Sequence, residues 1–323
     1  MQAVFLDYAT VSHQDLDASV ITAAVQSAGA ESAVKYYGLT AESEIIERIR
    51  DADIVLLNKL KLARAHLEAA RELKLIAVAA TGTDNVDLLA AKERAIAVCN
   101  IRGYCTSSVV QHVWAMILAL TQHLSYYARR ASDGSWRRSE EFDAPAPAIR
   151  ELAGRTLGVV GWGELGRAVA EAANAFGMHL IIASRPGAAA TSGRVDLAQL
   201  LSSADVVSLH CPLNESTRGL LGVRELALMK PDALLINTAR GGLVDGHALA
   251  SALKEGRLGG AGIDVLPHEP PIDGDPLLDP GIPNLIVTPH IAWAAREARQ
   301  RCLEEMAANV RDFLRGGRRG RLV

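Results

Sequence analysis

The stretch Thr156-Leu157-Gly158-Val159-Val160-Gly161-Trp162-Gly163-Glu164-Leu165-Gly166 decides the fold. An apolar run, Thr156 to Val160, reads as a strand. It leads into glycines at G-x-G-x-x-G spacing, and helical spacing follows from Leu165 to Phe176. Strand, glycine turn and helix in that order form a cradle for a pyrophosphate. Gly161 allows the tight turn, Gly163 lets the backbone approach the phosphates, and Gly166 lets the helix pack on the strand. The phosphates then sit at the positive end of the helix dipole. Gly161, Gly163, Glu164, Leu165 and Gly166 are therefore candidate dinucleotide-binding residues. The alternative is a glycine-rich turn that holds no ligand.

Outward from this turn the rhythm is βαβ in both directions. On the N-terminal side, strands are predicted at Ala3 to Leu6, Asp53 to Leu57, Leu75 to Ala79 and Ile96 to Cys99. Helices are predicted at Asp15 to Ser27 and Val86 to Arg94. A single long helix is predicted from Ser107 to Arg130, where Val109, Val113, Met116, Ile117, Leu120 and Leu124 recur at helical spacing. The stretch from Ser132 to Pro147, with Gly134 and Pro145, reads as a loop. Further strands are predicted at His179 to Ala183, Val206 to Leu209, Ala233 to Ile236, Gly260 to Asp264 and Leu285 to Thr288, and a last helix from Ala294 to Leu314. The strands are apolar throughout, as parallel strands buried on both faces should be. Two parallel α/β sheets are expected, the second inserted late in the first.

The chain has 323 residues, which favours two domains, and 49% of them are hydrophobic. A net charge of −3 gives no general attraction to nucleic acid or to an anionic membrane. The Arg-rich tail from Arg311 to Arg321 reads as a solvated helix end. Cys99, Cys105, Cys211 and Cys302 have neither metal-ligand spacing nor the density of a disulfide framework, so a reducing compartment is expected and no metal. Asp7 stands near the N-terminus where a signal peptide would be basic then apolar, and no run is long enough to span a membrane. A cytoplasmic protein is expected.

The second strand of the inserted unit ends in Ser184-Arg185, where an acidic residue would accept hydrogen bonds from an adenosine ribose. A hydroxyl and a guanidinium suit a 2′-phosphate, which predicts NADP(H) over NAD(H). Three later stretches carry chemistry. Ile236-Asn237-Thr238-Ala239-Arg240-Gly241-Gly242 ends a strand in an Arg able to grip a carboxylate. Gly262-Ile263-Asp264-Val265-Leu266-Pro267-His268-Glu269-Pro270 ends a strand in two carboxylates, and Thr288-Pro289-His290 ends one in an imidazole. An imidazole exchanges protons near neutral pH, and a neighbouring carboxylate favours its charged form and fixes its orientation. Each has a structural explanation taken singly, but all follow strands of one nucleotide-binding unit, where ligands of open α/β sheets bind.

With GWGELG, NTARGGLVD, GIDVLPHEP and TPHIAW in this order, the chain resembles the D-2-hydroxyacid dehydrogenase family over nearly its whole length. The resemblance implies a Rossmann cofactor domain at 102–291, inserted into a flavodoxin-like substrate domain built from 1–101 and 292–323, the two moving about a hinge. It implies that Arg240 binds the substrate carboxylate, that His290 is the acid–base and that Glu269 pairs with it. Thr238, Ala239, Asp264 and His290 are then expected along the cofactor, and Asp264 near the nicotinamide amide. Thr81 and Gly82, in Ala80-Thr81-Gly82-Thr83-Asp84-Asn85-Val86-Asp87, are expected to offer N–H groups to the carboxylate, and Tyr104 to lie near the hinge. Trp293 and the stretch VAATGTDNVD resemble the glycerate dehydrogenase and hydroxypyruvate (glyoxylate) reductase branch, which implies a small 2-oxo or 2-hydroxy acid substrate. Ser184-Arg185 departs from the family's usual acidic residue. The helix from Ser107 implies a homodimer. The absence of a further C-terminal domain argues against a long phosphoglycerate dehydrogenase, and Glu269 against a formate dehydrogenase. A cofactor-sensing corepressor of the same fold is the alternative from another class.

Overall fold

The structure is a computed structural model that describes residues 1–139, 147–185 and 193–323. It forms two compact units, Met1–Cys105 with Trp293–Val323, and Thr106–Ala292.

The first unit holds β1 (Gln2–Phe5), α1 (Ser19–Gln26), β2 (Ala33–Tyr36), α2 (Ile45–Ile49), β3 (Ile54–Leu57), α3 (Arg64–Ala69), β4 (Leu75–Val78), α4 (Leu88–Glu93) and β5 (Ala97–Cys99). Its parallel sheet runs β2-β1-β3-β4-β5, the flavodoxin-like order. Side chains alternate across a strand. Ile54 and Leu56 therefore meet α1 and the C-terminal helix Arg296–Leu314, while Val55 and Leu57 meet α2, α3 and α4. All four residues of β3 are fully buried. That two-sided burial is why the strands read as unbroken apolar runs.

The second unit holds α5 (Thr106–Thr121), α6 (Leu124–Ser132), β6 (Thr156–Val160), α7 (Glu164–Ala175), β7 (His179–Ile182), α8 (Leu197–Ser203), β8 (Val206–Leu209), α9 (Val223–Leu226), β9 (Leu234–Asn237), α10 (Gly246–Lys254), β10 (Gly260–Ile263) and β11 (Leu285–Val287). The sheet order is β11-β10-β9-β8-β6-β7, all parallel. Beyond β7 a single parallel bridge pairs Ala183 with Val195, at the place of an outermost Rossmann strand. The order reverses between β6 and β8, so the crevice at their carboxyl ends is the topological switch point.

Several elements differ from expectation. The helix expected from Asp15 begins only at Ser19, because Asp17 Oδ1 accepts the Ser19 N–H and Asp15 is held by both terminal nitrogens of Arg299. The long helix from Ser107 to Arg130 is two helices. Thr121 Oγ1 turns back onto the Ile117 and Leu118 carbonyls, and His123 takes a left-handed φ of 47° that ends the run. The apolar spacing continues across the break, so periodicity does not reveal it. β2 is an edge strand with half-exposed residues and lacks the apolar run that marks the others. Of the loop expected to Pro147, residues 140–146, including Pro145, lie outside the described residues. No described helix is long and apolar enough to cross a membrane.

Candidate active site

The glycine turn is built as its chemistry requires. Gly161 has φ +104°, and a Cβ there would stand 2.5 Å from the Cys211 N. A Cβ on Gly166 would stand 2.0 Å from the Gly161 carbonyl oxygen, so only glycine lets α7 pack this closely on β6. Gly163, which precedes α7, would bring its Cβ within 4 Å of nothing: the space before the helix N-terminus is open. Glu164 accepts a hydrogen bond from Thr106 Oγ1, and Leu165 is half-buried.

Three buried polar atoms along the carboxyl ends of β7, β8 and β9 have no partner in the structure: Ser184 Oγ, His210 Nδ1 and Thr238 Oγ1. Buried polar atoms nearly always have partners. Three orphans on the rim of the open glycine cradle therefore fit the polar groups of a dinucleotide. Burial pushes the His210 imidazole down to about 4, so it stands neutral, with its Nε2 2.8 Å from Ser208 Oγ. Arg185 is exposed at the end of β7; the residues just after it, 186–192, lie outside the described residues. Ser184 is fixed by its N–H donating to the Val195 carbonyl at 2.7 Å.

Arg240 stands on a turn that Asn237 organises. The buried Asn237 side chain donates to the Arg240 carbonyl at 2.9 Å and accepts from the Ala239 N–H at 3.0 Å. Arg240 is half-buried and one of its guanidinium nitrogens donates to the Ala239 carbonyl at 2.8 Å. Gly241 follows because a Cβ there would stand 2.1 Å from the Leu266 carbonyl carbon. The Arg240 turn is thus pressed against the loop that carries Glu269.

Glu269 Oε1 accepts the Leu266 N–H at 2.8 Å, and Oε2 lies 2.6 Å from His290 Nδ1. His290 has φ +54°, a left-handed conformation that costs a non-glycine residue about 1–3 kcal/mol. Its N–H is held by the Asp264 and Thr288 carbonyls at 2.8 and 2.9 Å. Asp264 is fully buried. Its Oδ1 accepts from Thr288 Oγ1 at 2.5 Å and from the Ile291 N–H at 2.9 Å, and its Oδ2 accepts from the Ala292 N–H at 2.8 Å. Burial pushes this carboxyl up, but hydrogen bonds from His112, Thr288, Ala292 and Ile291 outweigh burial and hold it below its ordinary range. The Asp264 carboxylate is thus tied to the His290 loop.

The structure therefore brings Arg240, Glu269, His290 and the glycine turn into one unit, at the carboxyl ends of its strands. Thr81 and Gly82 lie in the other unit, after β4, where the Thr81 carbonyl accepts from Asn100 Nδ2 at 2.7 Å. Tyr104 is buried there, edge-on to Trp293 with ring centroids 6.4 Å apart. Sequence reasoning missed Asn237, His210, Thr288, Ser108 and His112. The available signal was a polar residue set in an apolar run, as His112 is among Val109, Val110 and Val113. Among the described residues no group of three or more His, Cys, Asp or Glu side chains is placed to hold a metal.

Residues 114–292 match the sequence model of the D-isomer specific 2-hydroxyacid dehydrogenase NAD binding domain. A glycerate dehydrogenase of Methylorubrum extorquens is 44% identical over 282 residues, covering 87% of this chain and 89% of that one. The chain belongs to the D-isomer-specific 2-hydroxyacid dehydrogenases. A solved structure of a Thermus thermophilus protein superposes with a TM-score of 0.87 at 34% identity, covering all of both chains. An acyclic imino acid reductase solved with NADPH and D-Arg superposes with a TM-score of 0.83 at 30% identity, again over all of both chains. As in the other 2-hydroxyacid dehydrogenases, the unit Thr106–Ala292 is the nicotinamide dinucleotide-binding unit of an oxidoreductase.

Proposed function

We propose that this chain reduces hydroxypyruvate to D-glycerate, and glyoxylate to glycolate, with NADP(H) preferred over NAD(H). The observation that carries the reading is the 2.6 Å contact between His290 Nδ1 and Glu269 Oε2 beside the Arg240 turn. A nicotinamide held by this unit would supply the hydride for C2. With Nδ1 engaged by Glu269, His290 Nε2 delivers the proton to the C2 oxygen, so hydride and proton together complete the alcohol. Glu269 stabilises the protonated ring and aims it. The Arg240 guanidinium binds the substrate carboxylate and offsets the charge that builds on the C2 oxygen. In the oxidation of a 2-hydroxy acid each role reverses and His290 takes the proton.

The glycerate dehydrogenase relative supports the substrate class. The cofactor preference rests on Ser184, an unpartnered hydroxyl at the end of β7, and the exposed Arg185 after it. A 2′-phosphate meets a hydroxyl and a cation there and no carboxylate at either position. The relative solved with NADPH is consistent with that preference. We further propose a homodimer, with Leu124, Tyr126 and Trp136 exposed along and after α6, and a cytoplasmic setting in keeping with four free thiols.

The test is steady-state reduction of hydroxypyruvate with NADPH and NADH in parallel, read as loss of nicotinamide absorbance. A higher kcat/KM with NADPH supports both halves of the reading. Turnover that favours NADH keeps the activity and removes the cofactor assignment. No turnover of hydroxypyruvate or glyoxylate overturns the substrate.

A further inference from the structure

We propose that α5 is the fixture that holds the His290 loop, and that His112 on it is a positioning residue for proton transfer. The proposal rests on the reading of His290 as the proton donor.

The strained residue sits in the segment Thr288–Ala292, and α5 grips that segment at both ends. Ser108 Oγ donates to the Ala292 carbonyl at 2.6 Å. One helical turn on, His112 Nε2 lies 3.1 Å from Thr288 Oγ1 and 3.4 Å from Asp264 Oδ1. Residues four apart lie one above the other on a helix, so one face of α5 meets both ends of the loop. The face is brought close because β10 carries Gly262, where a Cβ would stand 2.9 Å from Met116 Sδ.

The hydrogen bonds have a direction. Asp264 is a carboxylate, so Thr288 Oγ1 gives its proton to Oδ1. The hydroxyl then has only lone pairs left for His112, which must therefore carry its proton on Nε2. The sequence is His112 N–H to Thr288 O–H to Asp264, with the Ile291 and Ala292 N–H groups closing on the same carboxylate. Asp264 in turn gives its carbonyl to the His290 N–H. The two residues whose carbonyls hold the His290 N–H, Asp264 and Thr288, thus both turn their side chains to His112 on α5. Without that anchor the backbone relaxes toward an ordinary conformation and the ring leaves Glu269.

The test compares His112→Leu, His112→Gln and Ser108→Ala with wild type and with His290→Gln. It measures kcat, KM for hydroxypyruvate and the Kd for NADPH by fluorescence. His112→Leu is expected to lower kcat by about 10- to 100-fold, since small misplacements of a catalytic group cost that much, while Kd is unchanged. His112→Gln keeps an N–H donor for Thr288 and should recover most of the loss. A His112→Leu enzyme with wild-type kcat, a loss confined to NADPH binding, or a Gln variant no better than Leu would each overturn the proposal. Should His112→Leu fail to fold, Ser108→Ala decides: a lowered kcat with unchanged Kd supports the proposal, and wild-type behaviour overturns it. An active His290→Gln would sink the proton-donor reading itself, whereas an inactive one beside a wild-type His112→Leu sinks only the fixture.

Discussion

Replacing Glu269 by Gln isolates the contact on which the proton transfer depends. The carboxylate serves two partners at once, the Leu266 N–H at 2.8 Å and His290 Nδ1 at 2.6 Å. Both partners are donors when the ring is protonated. A Gln has one oxygen, so in either orientation its amide N–H₂ faces a donor, and one contact is lost. Keeping the backbone contact forfeits the bond to the imidazolium. A hydrogen bond to a charged group contributes about 1.5–3 kcal/mol. The two side chains are 24% and 33% exposed, so solvent screens part of this and the lower half of the range applies. At 1.36 kcal/mol per factor of ten, kcat/KM for hydroxypyruvate reduction should fall roughly 10- to 45-fold near neutrality. The assay is kcat/KM, with NADPH affinity measured beside it. Wild-type kcat/KM would falsify the assignment, as would a loss residing wholly in NADPH binding.

Arg240→Ala should lose at least about 100-fold in kcat/KM while retaining NADPH affinity, since it removes a cation aimed at developing charge; normal turnover removes Arg240 from the mechanism. Gly163→Ala and Gly166→Ala should part company. At Gly163 the added methyl meets nothing in the protein, so thermal stability should stay near wild type while NADPH binding weakens. At Gly166 it meets the Gly161 carbonyl, so stability should fall by several kcal/mol; equal melting temperatures for the two variants contradict the packing. His210 predicts a pH dependence of stability. Its folded value of about 4 lies below the ordinary 6.5, so the unfolded chain binds the extra proton and stability falls as pH drops from 6.5 toward 4. The slope from this group approaches about 1.4 kcal/mol per pH unit, and His210→Gln should flatten it in denaturant titrations.

The chain's local signals were read correctly wherever one conformation serves one local need. Gly161 and Gly166 occupy positions where a Cβ collides with backbone, so their spacing is fixed by contact and visible in the sequence. Apolar runs such as Ile54-Val55-Leu56-Leu57 mark strands because both faces of the sheet are covered, which is also why the half-exposed β2 escaped notice. Arg240, Glu269 and His290 were legible as a group because each follows a strand, and parallel strands of one sheet present their carboxyl ends together. What the sequence could not give is which way a side chain turns once it is there. Asp264 stands at a strand end like the others, yet its carboxylate points inward to Thr288 and to the N–H groups of Ile291 and Ala292. The break at His123 carries no change of apolar spacing, and the partnership of His112 with Thr288 joins positions far apart in the chain. Local sequence thus determined the strands, the turns and the reactive residue types, because each answers to its immediate neighbours along the chain. Only the tertiary structure decided which buried polar groups satisfy one another, because a hydrogen bond depends on where the sheet and helix bring two atoms and not on their order in the sequence.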